Sequence, residues 1–148
     1  VNEIKNELSK LNLKIYIHDS KLKLEKNIDI YIVNAYGKTK SFFSCCKNVF
    51  LGGSIINHGG QNPLEAARYG CNILHGPNTH NFKEIYNFLK ENKISQRVNS
   101  EDQAVNFLDK RFTKGQNSKI IRKKINSIGQ KILENTLKEV RLILKNEI

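Results

Sequence analysis

The sequence predicts an α/β fold, in which helices cover both faces of a parallel sheet. Short apolar segments typical of strands alternate along the chain with segments whose apolar residues recur at helical spacing. One of the strand segments runs directly into a glycine-rich connection, and a long helical segment closes the chain. Strands that alternate with helices are joined by crossovers, so they lie parallel beneath helices on both sides.

The elements follow one another in a regular order. The pattern predicts strands at residues 13–17, 28–33, 49–51, 72–74 and 94–98. It predicts helices at residues 2–11, 37–46, 62–69, 81–92, 100–110 and 117–145. Gly129 is a candidate for a kink in the last helix. We therefore expect one Rossmann-like domain over residues 1–148, in which residues 115–148 form a C-terminal helical tail.

Helix starts and stops support these bounds. A capping residue followed three positions later by Glu or Gln occurs three times, in Asn62-Pro-Leu-Glu65, Asn81-Phe-Lys-Glu84 and Ser100-Glu-Asp-Gln103. In such a capping box the later side chain reaches back to the amide of the cap. Gly70 suits the C-terminal cap of the helix that begins at Asn62.

The net charge of +11 is concentrated in the last part of the chain. Residues 110–148 hold eleven Lys or Arg and three Asp or Glu, which leaves +8 of the total there. Such a tail is typical either of a solvated basic face or of a nucleic-acid-binding module. The solvated face is favoured because residues 113–148 contain no aromatic side chain on which a base could stack.

The cysteines and histidines do not form a metal-binding pattern. Cys45, Cys46 and Cys71 include no CxxC pair, and Cys71, His75 and His80 supply three candidate zinc ligands without a fourth. We therefore expect no metal and no cofactor. No apolar run approaches the length of a membrane span, so we expect this fragment to be soluble.

The glycine-rich segment predicts a nucleotide site. Gly52-Gly53-Ser54 and Gly59-Gly60 place small residues on both sides of a cleft at the carboxyl ends of parallel strands, where open α/β sheets bind ligands. Helix N-termini that face such a cleft offer free amides to a phosphate, and Glu65 suits ribose hydroxyls. The chain has neither the GxxxxGK[ST] of P-loop enzymes nor the GxGxxG of dinucleotide sites.

The run VFLGGSIINHGGQNPLEAARYGCNILHGPNTHNFKEI, Val49–Ile85, resembles the nucleotide-binding half of the 3-deoxy-D-manno-octulosonic acid (Kdo) transferases of lipopolysaccharide synthesis. That family has a two-domain GT-B fold and carries two glycines and Ser after a strand, then Gly-Gly-x-Asn-Pro-x-Glu, Gly-Pro and Asn-Phe. Upstream, Asn34-Ala35-Tyr36-Gly37-Lys38 stands where the family has Asp-Thr-x-Gly-Glu, so Lys38 replaces an acid.

The resemblance implies a set of residues that bind the donor CMP-Kdo. The set is Tyr36, Gly37, Lys38, Gly52, Gly53, Ser54, Gly60, Asn62, Pro63, Leu64 and Glu65. In this interpretation Glu65 holds the ribose hydroxyls, Lys38 faces the phosphate, and the two glycines with Ser54 form the wall near the phosphate or sugar. His58, which stands among the glycines, has two open interpretations, as a contact of the phosphate or Kdo carboxylate and, more commonly for such a residue, as a solvated loop residue. His80 is the other histidine to consider beside it.

The resemblance also implies the activity of the parent protein. It would transfer Kdo from CMP-Kdo to a lipid A precursor, with inversion and without a metal, at the cytoplasmic side of the bacterial inner membrane. The acceptor site and the general base would belong to an N-terminal domain outside this chain, so the fragment has no expected catalytic residue and no turnover of its own. The basic tail is expected to contact anionic lipid. The alternatives are a GT-B domain for a UDP- or GDP-sugar and the nucleic-acid-binding module.

Overall fold

The computed structural model describes residues 2–18, 26–114 and 118–146. The chain forms two compact units, Val1–Thr39 and Lys40–Ile148, and each is described by itself. The expectation of a single domain over residues 1–148 stays a prediction.

The first unit contains one helix and two parallel strands. Helix α1 spans Asn2–Ser9, and strands β1 and β2 span Ile15–Ile17 and Ile30–Ile32. The strands pair in parallel with Tyr16 opposite Tyr31, and the rings of these two residues stack with their centroids 5.4 Å apart. The connection expected at residues 18–27 lies mostly outside the described residues.

The second unit contains the remaining elements, except that helix α2 begins at the last residue of the first unit. They are α2 (Thr39–Cys45), β3 (Asn48–Leu51), α3 (Leu64–Arg68), β4 (Asn72–His75), a 3₁₀ turn (His80–Phe82), α4 (Lys83–Glu91), β5 (Ser95–Arg97), α5 (Glu101–Lys114) and α6 (Ser118–Asn146). The sheet has the order β3-β4-β5 and all its pairs are parallel. The predicted α/β class with parallel strands and a long C-terminal helix is confirmed.

The core of the second unit is built around its central strand. All four residues of β4 are buried, as expected for a parallel strand with neighbours on both sides and helices over the sheet. Ile73 of β4, Leu89 of α4 and Ile121 of α6 are each no more than 1% exposed and belong to one apolar cluster. The first turns of α6 therefore pack into the core, and Gly129 lies within the same uninterrupted helix.

The capping box predicted at Asn62 is not formed. The Asn62 side chain accepts a hydrogen bond from the amide of Leu64 (3.0 Å), but the last residue before the helix is Pro63. Glu65 is thus the second helical residue, one position short of that from which a side chain reaches back. Among the described residues its charged partner is Lys40, with 3.9 Å between the Lys40 Nζ and a Glu65 oxygen.

The two other predicted boxes have different outcomes. Ser100 caps α5, because its hydroxyl accepts from the amide of Gln103 (3.3 Å) while the Gln103 side chain accepts from the amide of Asn99 (3.0 Å). Asn81 does not cap α4, since it lies inside the 3₁₀ turn and its side-chain amide donates to the carbonyl of His58 (3.3 Å). That second prediction was wrong because a contact distant in sequence takes the Asn81 side chain.

Gly70 ends α3 as predicted. Its φ of +79° lies in the left-handed region, and its amide donates to the carbonyl of Ala67 (2.9 Å), while the amide of Cys71 donates to that of Ala66 (3.1 Å). This is the Schellman arrangement. A Cβ on Gly70 would also lie 2.5 Å from the backbone oxygen of Ser118, so the end of α3 meets the start of α6 without room for a side chain.

Alanine substitutions at two glycines should change stability in opposite directions. Gly70→Ala should lower the free energy of unfolding by about 2 kcal/mol, because it combines left-handed strain with a backbone clash. Gly129→Ala should raise it by about 0.5 to 1 kcal/mol, because a Cβ there meets nothing within 4 Å and alanine favours the helix. Denaturant unfolding of both variants measures this. Equal stability of the two variants would contradict the described junction between α3 and α6.

Candidate functional site

The glycine segment after β3 folds back on itself. Gly53, Gly59 and Gly60 have φ angles of +68°, +92° and +77°, which only glycine adopts without strain. The amide of Gly60 donates to the carbonyl of Gly53 (3.0 Å) and closes the segment into a loop, here called the glycine loop (residues 52–62). Gly53, Gly59 and Gly60 are therefore required by the backbone of this loop, whereas a Cβ on Gly52 would meet nothing within 4 Å.

Ser54 anchors the glycine loop to the sheet. Its side chain is fully buried, and its hydroxyl donates to the carbonyl of Leu51 (2.6 Å) at the end of β3. The same oxygen accepts from the amide of Gly76 (2.8 Å), which follows β4. The Ser54 hydroxyl thus joins the carboxyl ends of two neighbouring strands, and this buried side chain fixes the position of the loop.

Gly76 allows the two loops to approach. A Cβ at this position would lie 2.3 Å from the backbone oxygen of Ser54, a distance that no side chain permits. The sequence analysis did not assign this role to Gly76. A glycine directly after a buried strand and opposite a second glycine-rich connection is the signal that could have indicated it.

Two asparagines of the loop after β4 hold the glycine loop from the other side. The Asn78 side chain donates to the carbonyl of Ile55 (2.8 Å), and the Asn81 side chain donates to that of His58 (3.3 Å). The Asn78 amide also donates to the carbonyl of Ser54 (2.8 Å). Sequence reasoning missed both residues, since only the pairing of β3 with β4 brings the two loops together.

A histidine and a tyrosine support the loop from the core. His75 is buried at the end of β4, 4.3 Å from the ring centroid of Tyr86. Burial lowers the pKa of His75, and the nearby charges of Arg97 and Lys90 add to this, against an opposing hydrogen bond to Gly76. The neutral ring therefore belongs to the core.

Tyr86 links that core to the glycine loop. Its hydroxyl donates to the carbonyl of Gln61 (2.9 Å), and burial raises the pKa of Tyr86 to about 12. The hydroxyl consequently keeps its proton and remains a donor throughout the physiological pH range. Tyr86 thus fixes the backbone at Gln61 from the core side, just before the segment that leads into α3.

Several loop amides remain available to a ligand. The amides of His58 and Gly60 donate to carbonyls within the loop, whereas those of Gly53 and Gln61 have no acceptor among the described residues. Unpaired backbone donors in a glycine-rich turn after a strand form a concavity suited to an anion. The glycine loop therefore offers hydrogen-bond donors that suit a phosphate or carboxylate group.

The structure places the predicted site residues in two groups. In the second unit, Gly52 and Asn62 are exposed, Gly53, Leu64 and Glu65 are half-buried, and Ser54, Gly60 and Pro63 are buried. In the first unit, Tyr36, Gly37 and Lys38 form an exposed turn before α2, and Gly37 has a φ of +77°. The glycine loop brings the members of the larger group together. That the turn at Tyr36 joins them in one pocket stays a prediction.

The carboxylate of Glu65 remains available at the start of α3. Its partner Lys40 is 70% exposed and Glu65 itself is 45% exposed, so the 3.9 Å ion pair is of the weak, solvated kind. A ligand hydroxyl could replace this contact at little cost. Glu65 can therefore accept hydrogen bonds from a ribose, as the resemblance implies.

A cavity of about 710 Å³ lies elsewhere in the second unit, between α3, α4 and α6. Apolar side chains dominate its walls, among them Ile85, Phe88, Ile125, Ile128 and Ile132. It shares Leu64 with the predicted site but none of the glycines. Its walls also include the donors Arg68, Asn126 and Gln130, but most of its lining is apolar, so the glycine loop with its unpaired amides remains the better candidate for a phosphate.

The three residues weighed as zinc ligands do not act together. The Cys71 thiol is buried and points to the carbonyls of Phe43 (3.3 Å) and Cys46 (3.2 Å), and burial raises its pKa to about 11. Within residues 2–18, 26–114 and 118–146, no three His, Cys, Asp or Glu side chains are grouped as metal ligands. In the same ranges, no helix combines the length and apolar character needed to cross a bilayer.

Curated proteins similar to this chain are Kdo transferases of several bacteria. One from Haemophilus influenzae, named 3-deoxy-D-manno-octulosonic acid transferase, is 30% identical over 108 residues, which is 73% of this chain and 25% of that protein. The protein of the same name from Rickettsia prowazekii is 29% identical over 114 residues, which is 77% of this chain and 24% of that protein. The predicted resemblance to the Kdo transferases is confirmed. The chain spans about a quarter of the length of these two Kdo transferases.

A solved structure supports the fold. The chain resembles the C-terminal CMP-Kdo binding domain of WaaA from Acinetobacter baumannii with a TM-score of 0.75 and 18% identity, over 87% of this chain and 67% of that one. At this identity the likeness shows the fold, and the expected relation to the C-terminal half of a Kdo transferase agrees with it. No family model matches the chain.

Proposed function

We propose that this chain binds the nucleotide sugar CMP-Kdo and forms the donor half of a Kdo transferase. In the complete protein, Kdo would pass to a lipid A precursor held by another domain, which would also supply the general base. The observation that carries the proposal is the glycine loop, pinned by Ser54 and Gly76 within the segment Val49–Ile85 that carries the resemblance.

Different residues of the second unit bind different parts of CMP-Kdo. The unpaired amides of Gly53 and Gln61 bind the phosphate, and the Glu65 carboxylate accepts hydrogen bonds from the ribose hydroxyls. Asn62 uses its side-chain oxygen to hold the amide of Leu64, which leaves its NH₂ group as a donor to the ligand. Ser54 acts by fixing the loop.

The turn of the first unit contributes the remaining contacts. Tyr36 is fully exposed, with an aromatic face available to a nucleobase or sugar. Lys38, which stands where the family has an acid, supplies a positive charge to the phosphate.

The proposed reaction proceeds with inversion and without a metal. As the bond between Kdo and CMP breaks, negative charge grows on the departing phosphate. The unpaired amides of the glycine loop would stabilise this developing charge by donating hydrogen bonds to the phosphate. The chain would thus promote departure of CMP, while the attacking hydroxyl would be activated outside it, so isolated residues 1–148 should bind donor without turnover.

Titration of the chain with CMP, followed by amide chemical shifts, tests donor binding. CMP should shift the signals of Gly37, Gly53, Gly60 and Glu65, and UMP should shift them less. A short single-stranded RNA serves as the control for the basic tail. Equal response to UMP would favour a UDP-sugar donor. Shifts confined to residues 110–148 with RNA, and none with millimolar CMP, would refute the proposal and support the nucleic-acid-binding module.

The peripheral membrane contact of the tail is a second part of the proposal. Beyond the core, α6 exposes Leu133, Leu137 and Leu144, which repeat at helical spacing, and its other face carries Lys and Arg. An apolar stripe beside basic side chains suits an anionic bilayer surface such as the cytoplasmic side of the inner membrane. Each Lys near such a surface contributes about 1 kcal/mol.

Charge reversal measures this contribution. The variant with Lys123→Glu and Lys124→Glu should bind vesicles that contain phosphatidylglycerol at least tenfold more weakly than the unchanged chain. Lys5→Glu with Lys10→Glu alters the net charge equally at exposed positions of the first unit and is the matched control. Co-sedimentation gives both affinities. Equal binding of the two variants would refute a membrane contact through the tail.

A further inference from the structure

Two histidine rings lie directly against the glycine loop. A Cβ built on Gly53 would be 3.2 Å from Cδ2 of His58, and one built on Gly59 would be 2.9 Å from Nε2 of His80. His58 belongs to the glycine loop itself, whereas His80 comes from the loop that follows β4. The pairing of β3 with β4 therefore brings two imidazoles to the same short stretch of backbone.

The backbone around His58 is fixed by hydrogen bonds, whereas the rings of His58 and His80 make none within the part of the chain that the structure describes. The amide of His58 donates to the carbonyl of Ile56 (2.7 Å), and the His58 carbonyl accepts from the Asn81 side chain (3.3 Å). Neither the His58 ring nor the His80 ring has a hydrogen-bond or ion-pair partner among the described residues, and both residues are exposed. Each ring consequently has nitrogen atoms that are free to bind a ligand beside the glycine loop.

The surroundings of the rings favour an anion over a cation. Between Gly52 and Lys83 the chain has one acidic residue, Glu65, which pairs with Lys40, and the next acid is Glu84. The polar side chains next to the rings in sequence are the amides of Asn57 and Asn81 and the hydroxyl of Thr79, all of them uncharged. The backbone amide of Gln61 has no acceptor in the described part of the chain. An imidazole can donate an N–H in either protonation state.

We propose that His58 and His80 bind the phosphate of the nucleotide, each through one ring nitrogen, beside the unpaired amides of the glycine loop. The inference rests on the proposed function and adds two residues to it, from two different loops. Because the rings come from two different loops, each loop would contribute one ring to the phosphate. The two rings should therefore contribute to the affinity for CMP and make no contribution to the affinity for cytidine, which has no phosphate.

Calorimetric titration of the whole chain with CMP and with cytidine separates the phosphate contacts from those of the nucleoside. His58→Ala and His80→Ala should each weaken CMP binding about tenfold, as expected for loss of one hydrogen bond to a charged group, and leave cytidine binding unchanged. Asn57→Ala removes an exposed side chain from the same loop and should alter neither affinity. His58→Gln keeps an N–H donor and should recover part of the CMP affinity.

The outcomes distinguish the inference from the proposed function. If the unchanged chain binds CMP and both alanine variants bind it equally well, the two histidines are solvated loop residues and the inference fails alone. If the variants weaken cytidine as much as CMP, the rings shape the loop or contact the nucleoside, which also overturns the inference. If the unchanged chain binds no CMP at millimolar concentration, the proposed function fails together with it.

Discussion

The hydrogen bonds of the Ser54 hydroxyl are the interaction on which the candidate site depends. This single buried oxygen joins the carbonyl of Leu51 at the end of β3 to the amide of Gly76 after β4. A parallel sheet brings the ends of its strands to one edge, but it does not fix the loops that leave that edge. Ser54 supplies this constraint, and it does so where the absence of a Cβ on Gly76 lets the two backbones touch.

The other features of the site follow from that contact. Once the loops are joined, the Asn78 and Asn81 side chains reach carbonyls of the glycine loop, and Tyr86 holds the carbonyl of Gln61 from the core. These polar side chains therefore make hydrogen bonds that hold the glycine loop in place. The unpaired loop amides, the two imidazoles and the Glu65 carboxylate, which has only its weak ion pair with Lys40, are the groups that the proposed nucleotide would contact. Hydrogen-bond donors without a protein partner, carried by a loop that is held rigidly, are the arrangement expected of a preorganised anion site.

The order of elements could be predicted because it depends on local pattern. Apolar runs between turn residues gave the strands, and the left-handed Gly70 marked the end of α3 correctly. The start of α3 could not be placed from the same rules, because Asn62 bonds the amide of Leu64 and moves Glu65 out of reach of a capping box. The glycines of residues 52–60 indicated an unusual loop, and the cleft predicted there stays a prediction. The roles of Gly76 and Asn81 arise from contacts between loops that sequence spacing does not reveal.

The most direct test of this account is the free energy of unfolding of Ser54→Ala, measured by denaturant beside the exposed control Ser44→Ala. Loss of the Ser54 hydroxyl leaves a buried carbonyl and a buried amide without partners, so the account predicts a decrease of about 2 kcal/mol and faster hydrogen exchange at the Gly76 amide. The control should stay within about 0.5 kcal/mol of the unchanged chain. A Ser54→Ala variant as stable as the control, with the Gly76 amide still protected, would contradict the claim that this hydroxyl holds the site together.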